Sequence, residues 1–287
     1  MTRPRIGQLL AKLDKLLDRY VDSGPGAADL AACRAFVWDG GRMTLRPIAR
    51  PVRIDPQDLI GIDDVKQAVL QNTRNFVDGR RANNILLWGE RGTGKSSLVK
   101  SLLFAFSGTN LRVIQVRKHD ILTVPDLFDL VAPGTVYRFI LFIDDLSFEE
   151  HQTDYKEMKA IMDGGLEAMP ENILFYATSN RKHIIPEKFS DNDSDEIRPS
   201  DTVEEKISLA DRFGLRFGFY HLSQETYIEI VASYAAKYGI SMKKELLDRQ
   251  AIQWALAAGG RNGRIAEQFV RTLPGGGPGR QGDTQPD

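Results

Sequence analysis

Five short apolar runs punctuate the middle of the chain: NILLW (84–88), LRVIQV (111–116), FILFI (139–143), NILFYAT (172–178) and LRFGFY (215–220). None alternates apolar with polar residues, as a strand with one wet face would. Continuous runs of this length read as strands buried on both faces, and the helical stretches between them supply the crossovers of a parallel sheet. The expected fold class is therefore α/β: a five-stranded parallel sheet between helices over residues 53–222.

The flanks read differently. Ile6, Leu9, Leu10, Leu13, Leu16, Leu17 and Tyr20 recur at helical spacing, and Ala27 to Trp38 reads as a second helical stretch. RMTLRPIARP, from Arg42 to Pro51, reads as extended, so residues 1–52 are expected to form a short, mainly helical N-terminal unit. Its Arg34, Arg42, Arg46 and Arg50, with Arg53, either gather phosphates or a partner, or form an ordinary solvated face. Beyond His221 the strand signal stops. Ser223 is placed to cap a helix carrying Tyr227, Ile230, Val231, Tyr234 and Tyr238. Leu247, Ala251, Ile252, Ala255 and Leu256 mark a second helix, and Ile265, Phe269 and Val270 a third, which makes a small helical domain over 223–273. Residues 274–287, rich in Gly and Pro, cannot bury enough apolar area to order themselves and are expected to be a disordered tail.

Composition narrows the function classes. With a formal net charge of −1 and no apolar run near the ~20 residues that cross a bilayer, neither a membrane partner nor a strongly basic nucleic-acid binder is indicated. Lys12, Asp14, Lys15 and Asp18 interrupt the N-terminal leucines, unlike a secretion signal, so a cytoplasmic protein is expected. Cys33 is the only cysteine, which excludes an intrachain disulfide and a cysteine-rich zinc site. The four histidines are scattered without metal-ligand spacing.

The run NILLW leads directly into Gly89-Glu90-Arg91-Gly92-Thr93-Gly94-Lys95-Ser96, a full match to the phosphate-loop pattern in its strand-to-helix setting. The glycines let backbone close round a phosphate, while successive amides and the helix N-terminus aim partial positive charge at it. Lys95 is placed for the β and γ phosphates and Ser96 for magnesium; Ser97, the next residue of the helix, is counted with the binding residues. The run FILFI ends in Asp144, placed to hold magnesium through its water shell, with a turn-capping aspartate as the plainer alternative. Asp145 is then the candidate that polarises an attacking water. Asn180, at the end of the next run, can orient water and touch the γ-phosphate; on position alone it could equally be a turn residue.

The succession GERGTGKSS, FIDDLSF, ATSN, EEKISLADRFGL and GRNGRIAEQF resembles an AAA+ ATPase over roughly Arg53 to Leu273. Its wording is similar to an AAA+ family known only as a domain of unknown function, and FIDDLSF is also similar to replication initiators and helicase loaders. The resemblance implies a P-loop AAA+ core with a C-terminal helical lid, ATP and Mg2+ as cofactors, and a homo-oligomer, a ring being one arrangement. It makes Arg212 an arginine finger for a neighbouring subunit, with an Arg–Asp pair, Asp211 among the candidates, as the structural alternative. It makes Arg264 the lid sensor, with Arg261 as alternative, and puts Leu59-Ile60-Gly61-Ile62 against the adenine, Ile60 and Gly61 in particular.

Asp145 departs from the Glu usual in hydrolytic members of this class. Asp is one methylene shorter, which holds its carboxylate roughly 1.5 Å farther from the γ-phosphate and slows hydrolysis. Glu149 and Glu150 lie just beyond as longer carboxylates. The expected function is an ATP-hydrolysing oligomer with slow turnover that acts on a protein partner. The alternative is an ATP-gated nucleic-acid factor of the initiator or loader type. A small-molecule kinase fits less well, because the paired sensors and helical C-terminal domain have no counterpart there. The polar stretch Ser190 to Asp195, within a long connection over 181–205, is either disordered or a partner loop.

Overall fold

The computed structural model describes residues 27–131, 135–147, 154–164, 168–180 and 209–274. The helix expected near Ile6 to Tyr20, the connection over 181–205, Glu149, Glu150 and residues 275–287 lie outside them.

The sheet has seven strands rather than five. β1 (Ala35–Asp39), β2 (Thr44–Pro47), β3 (Ile85–Gly89), β4 (Leu111–Gln115), β5 (Arg138–Ile143), β6 (Ile173–Ser179) and β7 (Leu215–Phe219) run in the spatial order β2-β1-β4-β5-β6-β3-β7. Every neighbouring pair is parallel except the hairpin β1–β2. The five apolar runs became β3 to β7. The two extra strands come from the segment expected to be mainly helical. There the helix α1 (Ala27–Ala32) stops early, and Ala35 to Asp39 pairs with β4 instead of continuing it. The reason is tertiary: Phe36 and Trp38 are fully buried against the sheet's helical layer, β4 offers an unpaired edge, and β-branched and aromatic residues suit a pleated surface. The Trp38 indole N–H donates to Thr123 Oγ1 at 2.8 Å, which satisfies its polar end.

Apolar side chains fill both faces, as the unalternating runs require. Phe139, Leu141 and Ile143 pack on one face with Phe36, Trp38, Phe175 and Phe213. Ile140 and Phe142 pack on the other against α2 (Asp63–Val77) and α3 (Lys95–Ala105), through Val69, Phe76, Leu98 and Leu102. On the first face lie α4 (Val124–Val131) and α5 (Asp154–Asp163), contributing Leu127, Val131 and Met158. Register then positions the site. Trp88 of β3 lies opposite Ser179 of β6, and Ile143 of β5 lies opposite Ala177. The residues that follow these strands therefore emerge together at the sheet's carboxyl edge, where ligands bind in open α/β sheets.

The C-terminal helices α6 (Gln224–Lys237), α7 (Lys244–Ala257) and α8 (Gly263–Thr272) enclose a separate small core around Tyr227, Val231, Ala251, Phe269 and Val270. Ser223 caps α6 by accepting from Thr226 N at 3.1 Å, and Asn262 caps α8 by accepting from Ile265 N at 2.9 Å. Among the described residues no helix is long and apolar enough to cross a membrane.

Candidate nucleotide site

The loop between β3 and α3 has the backbone its glycines permit. Gly89 sits at φ +121°, and a Cβ there would lie 2.0 Å from the carbonyl oxygen of Phe219 in β7, so only glycine lets the two strands close at this point. Gly92, at φ +75°, faces the helical bundle: an added Cβ would lie 2.7 Å from Asn262 Cγ. Its carbonyl accepts a hydrogen bond from Gly263 N, the first residue of α8, at 2.9 Å. The phosphate loop and the bundle are thus joined backbone to backbone. Thr93 Oγ1 donates to Glu90 O at 2.7 Å and closes the loop on itself.

Lys95 is only 5% exposed, and its ammonium donates to the carbonyls of Gly89 at 2.9 Å and Glu90 at 2.6 Å. Burial pulls its pKa below the ordinary lysine value, and the carboxylates of Asp145, Glu90 and Asp144 oppose that pull. The cation is anchored on its own loop and surrounded by acids.

Asp144 and Asp145 follow β5 and do different things. Asp144 Oδ1 accepts from Ser96 Oγ at 2.5 Å and from Thr178 Oγ1 at 2.6 Å, and Lys100 Nζ stands 3.7 Å from Oδ2. Ser96 and Asp144 offer oxygen donors only, the set that suits a hard divalent cation retaining most of its water, so they fit magnesium. Asp145 is exposed, and Asn180 Nδ2 donates to its Oδ1 at 2.5 Å. Its amide donates to Thr178 Oγ1 at 2.9 Å. Asp145 also lies at φ +57°, in the left-handed region that Asn and Asp occupy several-fold more readily than other non-glycine residues. The turn out of β5 thus gives a backbone reason for Asp where a longer carboxylate would be usual.

A cavity of about 620 Å³ opens between the loop, the carboxyl ends of β5 and β6, and the bundle. Ile60, Arg91, Gly92, Thr93, Gly94, Lys95, Ser96, Ser97, Asp144, Asp145, Asn180 and Arg264 all line it. Of the two lid arginines proposed from sequence, Arg264 faces the cavity and Arg261 is absent from its lining. Gly61 is also absent. It packs on α6 at φ +79°, where a Cβ would meet Thr226 Cγ2 at 2.3 Å, so its role here is to let core and bundle approach. Glu90 is absent from the lining too, and His221 Nε2 stands 3.4 Å from its carboxylate. Arg212 is not in the cavity. Its Nε is ion-paired with Asp163 at the end of α5, while Asp211 pairs with Arg216 at 2.9 Å. The carboxylate beside Arg212 is therefore not its neighbour Asp211 but one from a distant helix.

Thr178 stands out in the sequence only as part of a strand end, yet among the described residues it is the side chain that contacts both the Asp144 carboxylate and the Asp145 backbone. A hydroxyl residue closing an otherwise apolar buried strand was the available signal. Lys100, about one turn beyond Ser96 on α3, carried none, since any solvated helix face holds lysines.

The sequence pattern described as "Protein of unknown function (DUF815)" matches residues 31–277. This chain belongs to the DUF815 family. No curated protein matches its sequence. Among solved structures, the DUF815 chain is similar to a point mutant of Thermotoga maritima RuvB, with a TM-score of 0.53 and 14% identity over 77% of this chain and 65% of that one. The alignment thus spans just under two thirds of that protein. A chain of the E. coli MS115-1 HORMA:CdnC:Trip13 complex aligns with a TM-score of 0.48 and 14% identity, over 76% of this chain and 91% of that one. The likeness to RuvB is one of fold: this DUF815 protein shares the α/β architecture of that structure.

Proposed function

We propose that this DUF815 protein binds ATP with magnesium in the 620 Å³ cavity and hydrolyses it slowly, as a homo-oligomer whose cycle acts on a protein partner. The observation that carries this reading is the convergence of the phosphate loop, Asp144, Asp145, Asn180 and Arg264 on one cavity from four separate parts of the chain. Loop amides and Lys95 hold the phosphates. Ser96 and Asp144 would hold magnesium, which would supply neutralisation of phosphate charge. Asp145 accepts a proton from the attacking water, and Asn180, already bonded to Asp145, orients that water. Ile60 lies against the base, and Arg264 reads the γ-phosphate from the bundle, which acts as the lid over residues 223–273.

Arg212 completes the site of a neighbour. Its carbonyl accepts from Asn84 Nδ2 at 3.3 Å, at the start of β3, whereas the phosphate loop begins at the other end of that strand. Five residues of strand separate them by roughly 17 Å, beyond the reach of an arginine side chain. This placement favours action across a subunit interface.

The test is phosphate release against protein concentration, with ATP binding measured alongside, for the native chain, Lys95→Met and Arg212→Ala. Turnover per subunit is expected to rise with concentration. Lys95→Met is expected to lose ATP binding, and Arg212→Ala to keep binding while turnover falls on the order of 10³-fold. A native chain that binds no ATP, or one whose turnover per subunit is independent of concentration while it stays monomeric, would refute the proposal.

A further inference from the structure

The geometry points to Asp163 as the positioning residue of Arg212, a role that rests on the reading of Arg212 as a group acting on a neighbouring subunit's nucleotide. Arg212 is fixed at two places. Asn84 bonds its carbonyl through Nδ2 and, through Oδ1, accepts from Phe175 N of β6 at 2.9 Å, which ties the Arg212 backbone to two strands of the central sheet. Asp163 Oδ1 then meets the guanidinium at Nε. That nitrogen is buried and makes no hydrogen bond among the described residues, so Asp163 holds it by charge alone, yet the side chain as a whole is 37% exposed. Burial of Nε with exposure elsewhere leaves the outer part of the side chain turned to solvent.

Such an arrangement suits a finger better than a structural pair. A surface ion pair of two half-exposed groups contributes little to stability. It does remove rotamer freedom from a long side chain, and a charge that must meet a developing anion gains from being held in place beforehand. Asp163 ends α5, which packs by Tyr155, Met158 and Met162 on the same core as Phe213, the residue after Arg212. The carboxylate and the arginine are therefore set by one rigid layer, and the more local partner Asp211 is occupied by Arg216.

The experiment is subunit mixing with the full-length chain and ATP. Arg212→Ala subunits supply intact phosphate loops without fingers, and Lys95→Met subunits supply fingers without a working loop. Mixing the two is expected to restore turnover. Fingers from the double variant Lys95→Met/Asp163→Asn are expected to restore roughly 10- to 100-fold less, the loss typical of a misplaced catalytic group. Asp163→Asn alone is expected to lower kcat by a similar factor with ATP affinity and KM within about twofold of native, which also reports that it folds. Lys95→Met/Asp163→Glu, which keeps the charge, is expected to donate better than the Asn variant. If Lys95→Met/Asp163→Asn restores turnover as fully as Lys95→Met, the positioning role is overturned while the trans reading stands. If Lys95→Met restores nothing to Arg212→Ala, both are overturned.

Discussion

Thr178→Val is the most informative single change outside the phosphate loop. The side chain is 2% exposed, and its hydroxyl donates to Asp144 Oδ1 at 2.6 Å while accepting from Asp145 N at 2.9 Å. Valine keeps the shape and removes both bonds. Losing a hydrogen bond to a carboxylate costs about 1.5–3 kcal/mol, and leaving a partly buried amide unpaired costs about 1–3 kcal/mol. The two share one oxygen and are not additive, so a destabilisation of about 3 kcal/mol is expected. For a domain of this size that corresponds to a fall of roughly 6–12 °C in the unfolding midpoint. Thr178→Ser, which keeps the hydroxyl and loses a methyl, is expected to cost only about 1 kcal/mol. Urea unfolding followed by circular dichroism gives the stabilities. Magnesium-dependent ATP affinity, read on the same proteins, is expected to weaken in Val and not in Ser, because Thr178 orients the Asp144 carboxylate. Equal stability of the Val and Ser variants, within about 0.5 kcal/mol, would show that the hydroxyl does not organise the two aspartates.

Three other outcomes follow from the same geometry. Asp145→Glu is expected to lose about 1 kcal/mol, since Glu tolerates φ +57° less well than Asp, and to hydrolyse ATP faster than native because the longer carboxylate reaches closer to the γ-phosphate; an unchanged rate of phosphate release would mean that side-chain length does not limit turnover. Gly92→Ala places a methyl 2.7 Å from Asn262 Cγ at φ +75°, so it is expected to break the Gly263–Gly92 bond, exposing the Gly263 amide to faster hydrogen exchange and weakening ATP binding about tenfold. Burial pushes the Tyr176 phenol from 10.0 up to about 12, against the opposing hydrogen bonds of Thr73 and Asn72. A raised pKa means the folded state holds the proton longer: this contribution is whole below pH 10 and is lost as pH climbs toward about 12. Tyr176→Phe is expected to flatten part of the alkaline fall in unfolding free energy between those values, and an unchanged slope would contradict the burial account.

Some of this was legible in the order of residues. Local signals carry local geometry: an apolar run of five to seven residues is enough to specify a doubly buried strand, and GERGTGKS is enough to specify a glycine turn into a helix with Lys95 and Ser96 in its first turn. The two aspartates after β5 and Asn180 after β6 were placed by the same logic, as residues just beyond strand ends. The N-terminal segment was not legible in this way. Ala35 to Asp39 has no neighbour in sequence to pair with except β2; what makes it part of the main sheet is β4, more than seventy residues on, whose edge accepts it. Pairing across such a distance leaves no periodic trace in the strand itself.

The remainder depended on register and packing. Thr178 reaches Asp144 across 34 positions because β5 and β6 are aligned Ile143 to Ala177. A slip of one residue would turn that hydroxyl to the other face of the sheet. The left-handed backbone at Asp145, the choice of Arg264 over Arg261 at the cavity, and Asp163 rather than Asp211 as the partner of Arg212 are likewise set by how separate elements meet. Sequence alone determined which chemical groups the chain carries and which turns deliver them, because those are properties of a few consecutive residues. Tertiary structure decided which groups touch, because contact is a property of elements packed against one another.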